Sequence, residues 1–271
     1  MQIFYLLLIS TGTAGQTLHS PLLDLAATSR GEGTVRLLWG QGTGSFGAGP
    51  SYPVDPDPSS IVTGDFNADG KLDLAVSSRV NHTVSVLLGD GVGGFAPPIT
   101  SPAGNDTGWL AAGDFKRDGN LDLAVTNWGS TSVLLLPGDG TGRFGAPLTF
   151  TAGGKFTSLT AADFDRNGTL DLAVTCEDPN SLIILKNDGN GGFGVSAEYA
   201  LGAVPIEISS GDFDGDGWAD LVVTNQDDTG ATVLLNNGTG AFGRGTNYFP
   251  GGNPSSVTLG DMNIKMGRST W

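Results

Sequence analysis

A chain of 271 residues is long enough for a large core, yet 44 glycines and only 15% charged residues describe many tight turns and little helix. Its 28 acidic residues against 13 basic ones give a formal charge of −15, which excludes the basic face that a nucleic-acid partner requires. A single cysteine, Cys176, excludes an internal disulfide, and two histidines in unrelated contexts, His19 and His82, build neither a zinc cluster nor a catalytic triad.

The chain opens on a short apolar run, 1–9, followed by the small and polar residues 10–15. That run is too short to span a bilayer, so no membrane span is expected. Residues 1–15 read as a signal peptide, although the usual basic start is lacking. The alternative is a misassigned start or missing upstream sequence. The export reading places the protein outside the cell or at its surface.

Residues 16–271 read as one repeat domain. Apolar runs at 23–28, 35–39 and 46–54 supply three strands of an eroded first copy, whose own first strand is expected to be missing. The next copy is complete: a first strand at 60–64, an acidic loop at 65–73, a second strand at 72–77, a third at 83–88, a turn at 89–94 and a fourth from Phe95. The acidic loop returns at Asp114, Asp163 and Asp212, a constant step of 49, and the apolar third strand returns at 133–136, 182–185 and 232–235. A fixed period near fifty marks one supersecondary unit copied and stacked. Four antiparallel strands per copy predict an all-β fold, a β-propeller of four-stranded blades in five repeats. The turn 89–94 matches G-x-G-x-x-G literally, but no helix follows, so it is a hairpin turn and not a dinucleotide site. Residues 255–261 form a further first strand without a blade of its own. The segment 254–263 is expected to pair with the N-terminal blade and close a five-bladed ring, bringing Asp261 and Asn263 toward Asp24. The rival is an open arc or part of a larger ring.

The loops carry oxygen donors at calcium-loop spacing, with positions 1, 3, 5 and 7 as ligands and glycine at 6 for the turn. Positions 1, 3 and 5 are Asp65, Asn67 and Asp69, then Asp114, Lys116 and Asp118, then Asp163, Asp165 and Asn167, then Asp212, Asp214 and Asp216. Glycine holds position 6 as Gly70, Gly119, Gly168 and Gly217. Position 7 would offer only its backbone carbonyl and varies as Lys71, Asn120, Thr169 and Trp218, with the side chain expected to point away. The glutamate usual at position 12 is replaced by an aspartate at position 9 (Asp73, Asp122, Asp171, Asp220), which is expected to close the shell. Oxygen-only ligation favours Ca2+ over transition metals. The 212–220 loop, with four carboxylates, is expected to bind most tightly. The 114–122 loop, with Lys116 where an oxygen belongs, is expected to bind most weakly. The bland reading is that Asp, Asn and Gly cluster because turns favour them.

These residues resemble the FG-GAP/VCBS repeat family, related to the propeller head of integrin α subunits. The resemblance rests on the D-x-[DN]-x-[DN]-G-x-x-D loops and on Phe46-Gly47, Phe144-Gly145, Phe193-Gly194 and Phe242-Gly243. Phe95-Ala96 and Lys116 depart from the pattern, and five copies are fewer than the seven common in such propellers. The resemblance implies calcium between blade strands, an extracellular setting, and adhesion or carbohydrate binding. The leading expectation is therefore a non-catalytic module for a glycan or extracellular protein, with structural calcium. A polysaccharide-active enzyme and a purely structural spacer are the competitors, and the conspicuous acids already assigned to loops weigh against the enzyme. Trp109 and Trp128 are candidate ligand contacts, because other copies have Ser60 and Arg79 there; packing between blades is the competing role. Asn81, Asn105 and Asn237 begin glycosylation sequons, which matter only in a eukaryotic secretory route.

Overall fold

The computed structural model describes residues 6–10, 23–128, 131–227, 230–248 and 251–259. Its strands form five antiparallel sheets of four, each paired in chain order. The first holds β1 (Leu6–Ser10), β2 (Leu23–Ser29), β3 (Thr34–Gly40) and β4 (Phe46–Pro53). The second holds β5 (Pro58–Gly64), β6 (Asp73–Ser78), β7 (Thr83–Leu87) and β8 (Ile99–Pro102). The third holds β9 (Thr107–Gly113), β10 (Asp122–Asn127), β11 (Ser132–Leu136) and β12 (Leu148–Thr151). The fourth holds β13 (Phe156–Ala162), β14 (Asp171–Cys176), β15 (Ser181–Asn187) and β16 (Phe193–Ala200). The fifth holds β17 (Ala203–Gly211), β18 (Asp220–Asp227), β19 (Gly230–Leu234) and β20 (Thr246–Tyr248). No helix among the described residues is long and apolar enough to cross a membrane.

The core lies between sheets rather than within any one of them. On β10 the period-two alternation sends Leu123 and Val125 toward the second sheet, where they join Ala75, Val84 and Val86. Ala124, between them, faces the fourth sheet and joins Phe156, Leu172 and Val174. Both faces of each middle strand are covered, which is why these strands read as continuous apolar runs. At about 1.5–3 kcal/mol per buried large apolar side chain, the gain arises only when a neighbouring sheet is present. A single copy has nothing to fold against.

Small polar side chains fix the spacing between sheets. The pairing of first and second strands slips by one residue at the same place in four sheets, leaving Ser59, Gly108, Thr157 and Ile206 unpaired. Two of these bulge residues turn a hydroxyl to the next sheet: Ser59 Oγ donates to the Thr107 carbonyl at 2.9 Å and Thr157 Oγ1 to the Pro205 carbonyl at 2.8 Å. Beside them, Ser60 Oγ accepts the Leu110 amide at 3.2 Å and Ser158 Oγ accepts the Ile208 amide at 3.5 Å.

Two expectations about the ends change. The first copy does not lack its first strand: Leu6–Ser10 pairs antiparallel with β2, Leu6 opposite Ala27 and Ser10 opposite Leu23. An apolar strand and the hydrophobic stretch of a signal peptide share one composition, so the sequence could not separate these roles. At the other end, residues 253–259 form no strand with the first sheet. They lie along β17, where the Val257 amide donates to Glu207 Oε2 at 3.1 Å, the same brace, fifty residues on, that Ser60 and Ser158 make. The segment thus takes the place of a next first strand. Asp261 and Asn263 lie outside the described residues.

One glycine is held by both geometry and space. Gly154 has φ +136, and a Cβ there would sit 2.1 Å from Cys176 Sγ and 2.9 Å from the Asp178 carbonyl. Gly154→Ala is expected to destabilise the fold by about 2 kcal/mol or more, read from the urea midpoint. An unchanged midpoint would refute the packing of this turn.

Candidate metal centre

Each acidic loop leaves the end of a first strand and returns into a second strand, on an almost identical backbone. Position 4 takes positive φ at Ala68, Arg117, Arg166 and Gly215, and so does the glycine at position 6. These reversals turn the loop amides inward. Asp65 accepts the amides of Asp69 (3.0 Å) and Gly70 (2.8 Å), and Asp114 accepts those of Asp118 and Gly119 (both 3.0 Å). Asp163 accepts those of Asn167 (3.0 Å) and Gly168 (2.9 Å), and Asp212 those of Gly215 (2.7 Å) and Gly217 (2.9 Å). In all four loops the position 7 amide donates to the position 5 side chain, which is Asp69, Asp118, Asn167 and Asp216 in turn.

The structure brings together positions 1, 3 and 5. In the last loop, one carboxylate oxygen from each of Asp212, Asp214 and Asp216 lies within 4.8 Å of the others, and all three residues are exposed. A hard cation holds oxygens at 2.3–2.6 Å, so ligands on opposite sides of it stand about 5 Å apart. This triad can hold a metal ion.

The position 9 aspartates stand apart from the exposed triads. Asp73, Asp122, Asp171 and Asp220 are completely buried. Asp73 accepts the Phe66 amide (2.9 Å) and the Gly89 amide (2.7 Å), and Asp122 accepts those of Lys116 (3.1 Å) and Gly138 (2.8 Å). Asp220 accepts those of Phe213 and Asn236 (both 2.8 Å). Each therefore staples its loop to the hairpin between third and fourth strands. Asp24 makes the equivalent bond to the Gly40 amide at 2.8 Å. Burial pushes the Asp73 and Asp122 carboxyls up. Asp171 is the exception among them. Its Oδ1 accepts the Asn187 amide at 2.9 Å, but its Oδ2 is buried without a hydrogen-bond partner, and burial pushes its pKa up to about 6. An orphaned carboxylate oxygen beside the 163–171 loop fits a cation there.

Ammonium groups meet three of the loops. Lys71 Nζ lies 3.1 Å from Asp69 Oδ2, Lys116 Nζ 2.7 Å from Asp118 Oδ2, and Lys186 Nζ, from β15, 2.7 Å from Asp165 Oδ2. The hydrogen bond from Lys116 holds the Asp118 carboxyl low, and the bond to Asp118 raises the Lys116 ammonium. The 65–73 and 163–171 loops keep oxygen donors at positions 1, 3 and 5 and fit a cation. The 114–122 loop has lost position 3 and does not fit.

Position 7 side chains do not all point away as expected. The Thr169 hydroxyl donates to Asn167 Oδ1 at 2.5 Å, because β-branching holds it close to the loop. Trp218 lies under the Arg166 guanidinium, 4.1 Å from the ring centroid, and Arg166 also bonds to the Gly217 carbonyl across the sheet boundary. The tryptophans proposed as ligand contacts differ from one another. Trp109 is half-buried on β9, its amide donating to Thr126 Oγ1 at 2.9 Å. Trp128 is 38% exposed, but the Arg79 guanidinium covers its ring at 4.9 Å and pairs with Asp106 at 3.8 Å, so this indole bridges neighbouring sheets. Sequence reasoning missed the staple amides of the hairpin, the Lys186 bond and the Arg166 stack, each of which brings in a partner from beyond the nine residues of the loop concerned.

Five four-stranded antiparallel sheets with shared cores, four of them carrying an oxygen-lined loop between first and second strands, define a β-propeller. The chain belongs to the FG-GAP-like repeat family, which matches it at residues 21–76, 65–125, 114–174, 170–223 and 212–263. No curated protein matches it. Among solved structures it is similar to the periplasmic gluconolactonase of Pseudomonas aeruginosa, with 20% identity, a TM-score of 0.65, and coverage of 87% of this chain and 69% of that one. It is similar to an Agrocybe aegerita lectin that recognises non-reducing terminal N-acetylglucosamine, with 18% identity, a TM-score of 0.58, and coverage of 90% and 65%. It is also similar to virginiamycin B lyase of Staphylococcus aureus, with 14% identity, a TM-score of 0.58, and coverage of 83% and 66%. The chain thus spans about two thirds of the length of the lectin and the lyase. Likeness at these identities shows the fold.

Proposed function

We propose that this chain is a calcium-binding recognition module, secreted or displayed at the cell surface, that holds a glycan or an extracellular protein without chemistry of its own. The observation that carries the reading is the repeated oxygen cage, most complete at Asp212, Asp214 and Asp216. Seven-coordinate oxygen ligation suits calcium, and millimolar extracellular calcium suits exposed loops of this kind. Within each cage the residues that would hold the ion are positions 1, 3 and 5 with the position 7 carbonyl. The orphaned Asp171 Oδ2 adds a buried donor in its copy.

Several acids outside the loops are paired: Asp57 with Arg30, Asp106 with Arg79 and Glu177 with Lys155. That engagement favours binding over acid–base catalysis, which needs two carboxyls of divergent pKa in one cleft. The lectin among the structural neighbours supports a glycan as ligand, and the lactonase and the lyase are the grounds for the enzymatic alternative. A glycan array, run in calcium and again in chelator, tests the reading. Calcium-dependent retention of one glycan class is expected. Turnover of a polysaccharide or lactone substrate would replace this reading with the enzymatic one. Asp212→Ala is expected to remove the tightest calcium step from a calorimetric titration, because it deletes one cage oxygen donor and the acceptor of two loop amides. Loss of a weaker step instead would contradict the ranking.

A further inference from the structure

The four copies of one loop allow a controlled comparison at position 3. Asn67, Asp165 and Asp214 each turn Oδ1 onto the position 5 amide, at 3.2, 3.2 and 3.1 Å. Lys116 has no such oxygen, yet its loop keeps the same backbone, with Asp114 holding the amides of Asp118 and Gly119. Its ammonium instead reaches Asp118 Oδ2 at 2.7 Å. The stem runs beside Gly191 of the neighbouring sheet, where an added Cβ would lie 2.9 Å from Lys116 Cγ. The charge thus reaches the position 5 carboxylate, as Lys71 reaches Asp69 in the 65–73 loop, but here it comes from position 3, in place of an oxygen donor.

Lys71 and Lys186 touch their loops differently. Lys71 stands at position 7, where only a carbonyl is asked for, and its side chain is 44% exposed. Lys186 comes from β15, and its loop keeps Asp163, Asp165 and Asn167 and adds the unpartnered Asp171 Oδ2. Both ammonium groups can swing out and leave a complete donor set. Lys116 cannot, since removing its ammonium still leaves position 3 without an oxygen.

We propose that Lys116 is a tethered cation that takes the place of the metal in the 114–122 loop, so that this copy is pinned without calcium while its sister loops depend on it. The proposal rests on the calcium reading for the sister loops but not for its own. It makes the third sheet the calcium-independent member of the array, with the calcium-dependent loops on either side of it.

Three variants of the full chain test it by calcium counting in native mass spectrometry and by hydrogen exchange in chelator. Asp118→Ala is expected to leave the number of bound calcium ions unchanged, and Lys116→Asp, with Lys116→Asn as the gentler substitute, to raise it by one. In chelator, amides of the 114–120 stretch are expected to exchange slowly in the wild type and about three- to fivefold faster in Lys116→Met, the effect of losing one partly exposed ion pair. Loss of one calcium in Asp118→Ala, or no gain in folded Lys116→Asp and Lys116→Asn, overturns the proposal. Unchanged exchange in Lys116→Met overturns it too. A wild type that binds no calcium at all refutes the calcium reading instead, and the exchange arm still decides the role of Lys116.

Discussion

Removing calcium is expected to lower the melting temperature of the protein by on the order of 20 °C. A ligand at a hundred times its dissociation constant stabilises the folded state by about 2.7 kcal/mol per site, and 1 kcal/mol moves the midpoint of a chain of this size by about 2–4 °C. Three loops fit a cation, at 65–73, 163–171 and 212–220, so their contributions add where they are independent. The carboxylates are the physical origin of that stabilisation. With four acids in the 212–220 loop and no bound charge between them, mutual repulsion opposes the turn that the backbone amides favour. Differential scanning calorimetry in millimolar calcium and in excess chelator measures this. Magnesium should rescue poorly, since it demands a smaller and stricter octahedral shell.

The second large effect belongs to a residue that no solvent reaches. Asp220→Ala is expected to cost about 4 kcal/mol, measured by urea unfolding in chelator so that metal binding contributes nothing. The substitution strands the buried amide of Asn236 and the partly buried amide of Phe213, each now 2.8 Å from a carboxylate oxygen, and an unsatisfied buried amide costs about 1–3 kcal/mol. Asp220→Asn should rescue only in part, because its NH2 group would face one of those donors. Asp106→Ala serves as the contrast: it breaks an exposed pair with Arg79 and should cost under about 1 kcal/mol. If Asp220→Ala were as mild as Asp106→Ala in chelator, position 9 would act through a metal alone and the staple would carry no weight.

How far the sequence revealed this arrangement depends on how local each interaction is. The 49-residue step repeats without a gap and the residues at positions 1, 3 and 5 lie within one turn, so the repeat fold and the clustering of the Asp212, Asp214 and Asp216 triad could be read directly. The staple could not, since Asn236 meets Asp220 from the far side of a hairpin and nothing in the nine residues announces it. Thr169, at a position whose side chain is expected to point away from the ion, bonds back to Asn167 because its hydroxyl sits on a branched Cβ. Lys186 and Arg166 reach their loops through space, one from a strand of the same sheet and one from the preceding copy. Lys116 was legible as a defect, but its packing against Gly191 was not.

The ends show the opposite problem, one pattern with two meanings. Leu6–Ser10 has the composition of an export signal, and in the structure it has the pairing of a strand with β2. The sequence of 255–261 reads as a first strand, and 254–263 as a closing partner of the N-terminal sheet; the brace from Val257 to Glu207 places the described part beside β17. Both cases turn on a neighbour that periodicity alone cannot supply.

Electron density from crystals grown in millimolar calcium tests the central claim most directly. The account predicts a cation coordinated by six to eight oxygens at about 2.3–2.6 Å in the loops starting at Asp65, Asp163 and Asp212, and an ammonium in its stead beside Asp118. Loops without a cation at those three places, or a coordinated ion in the loop of Lys116, would contradict it.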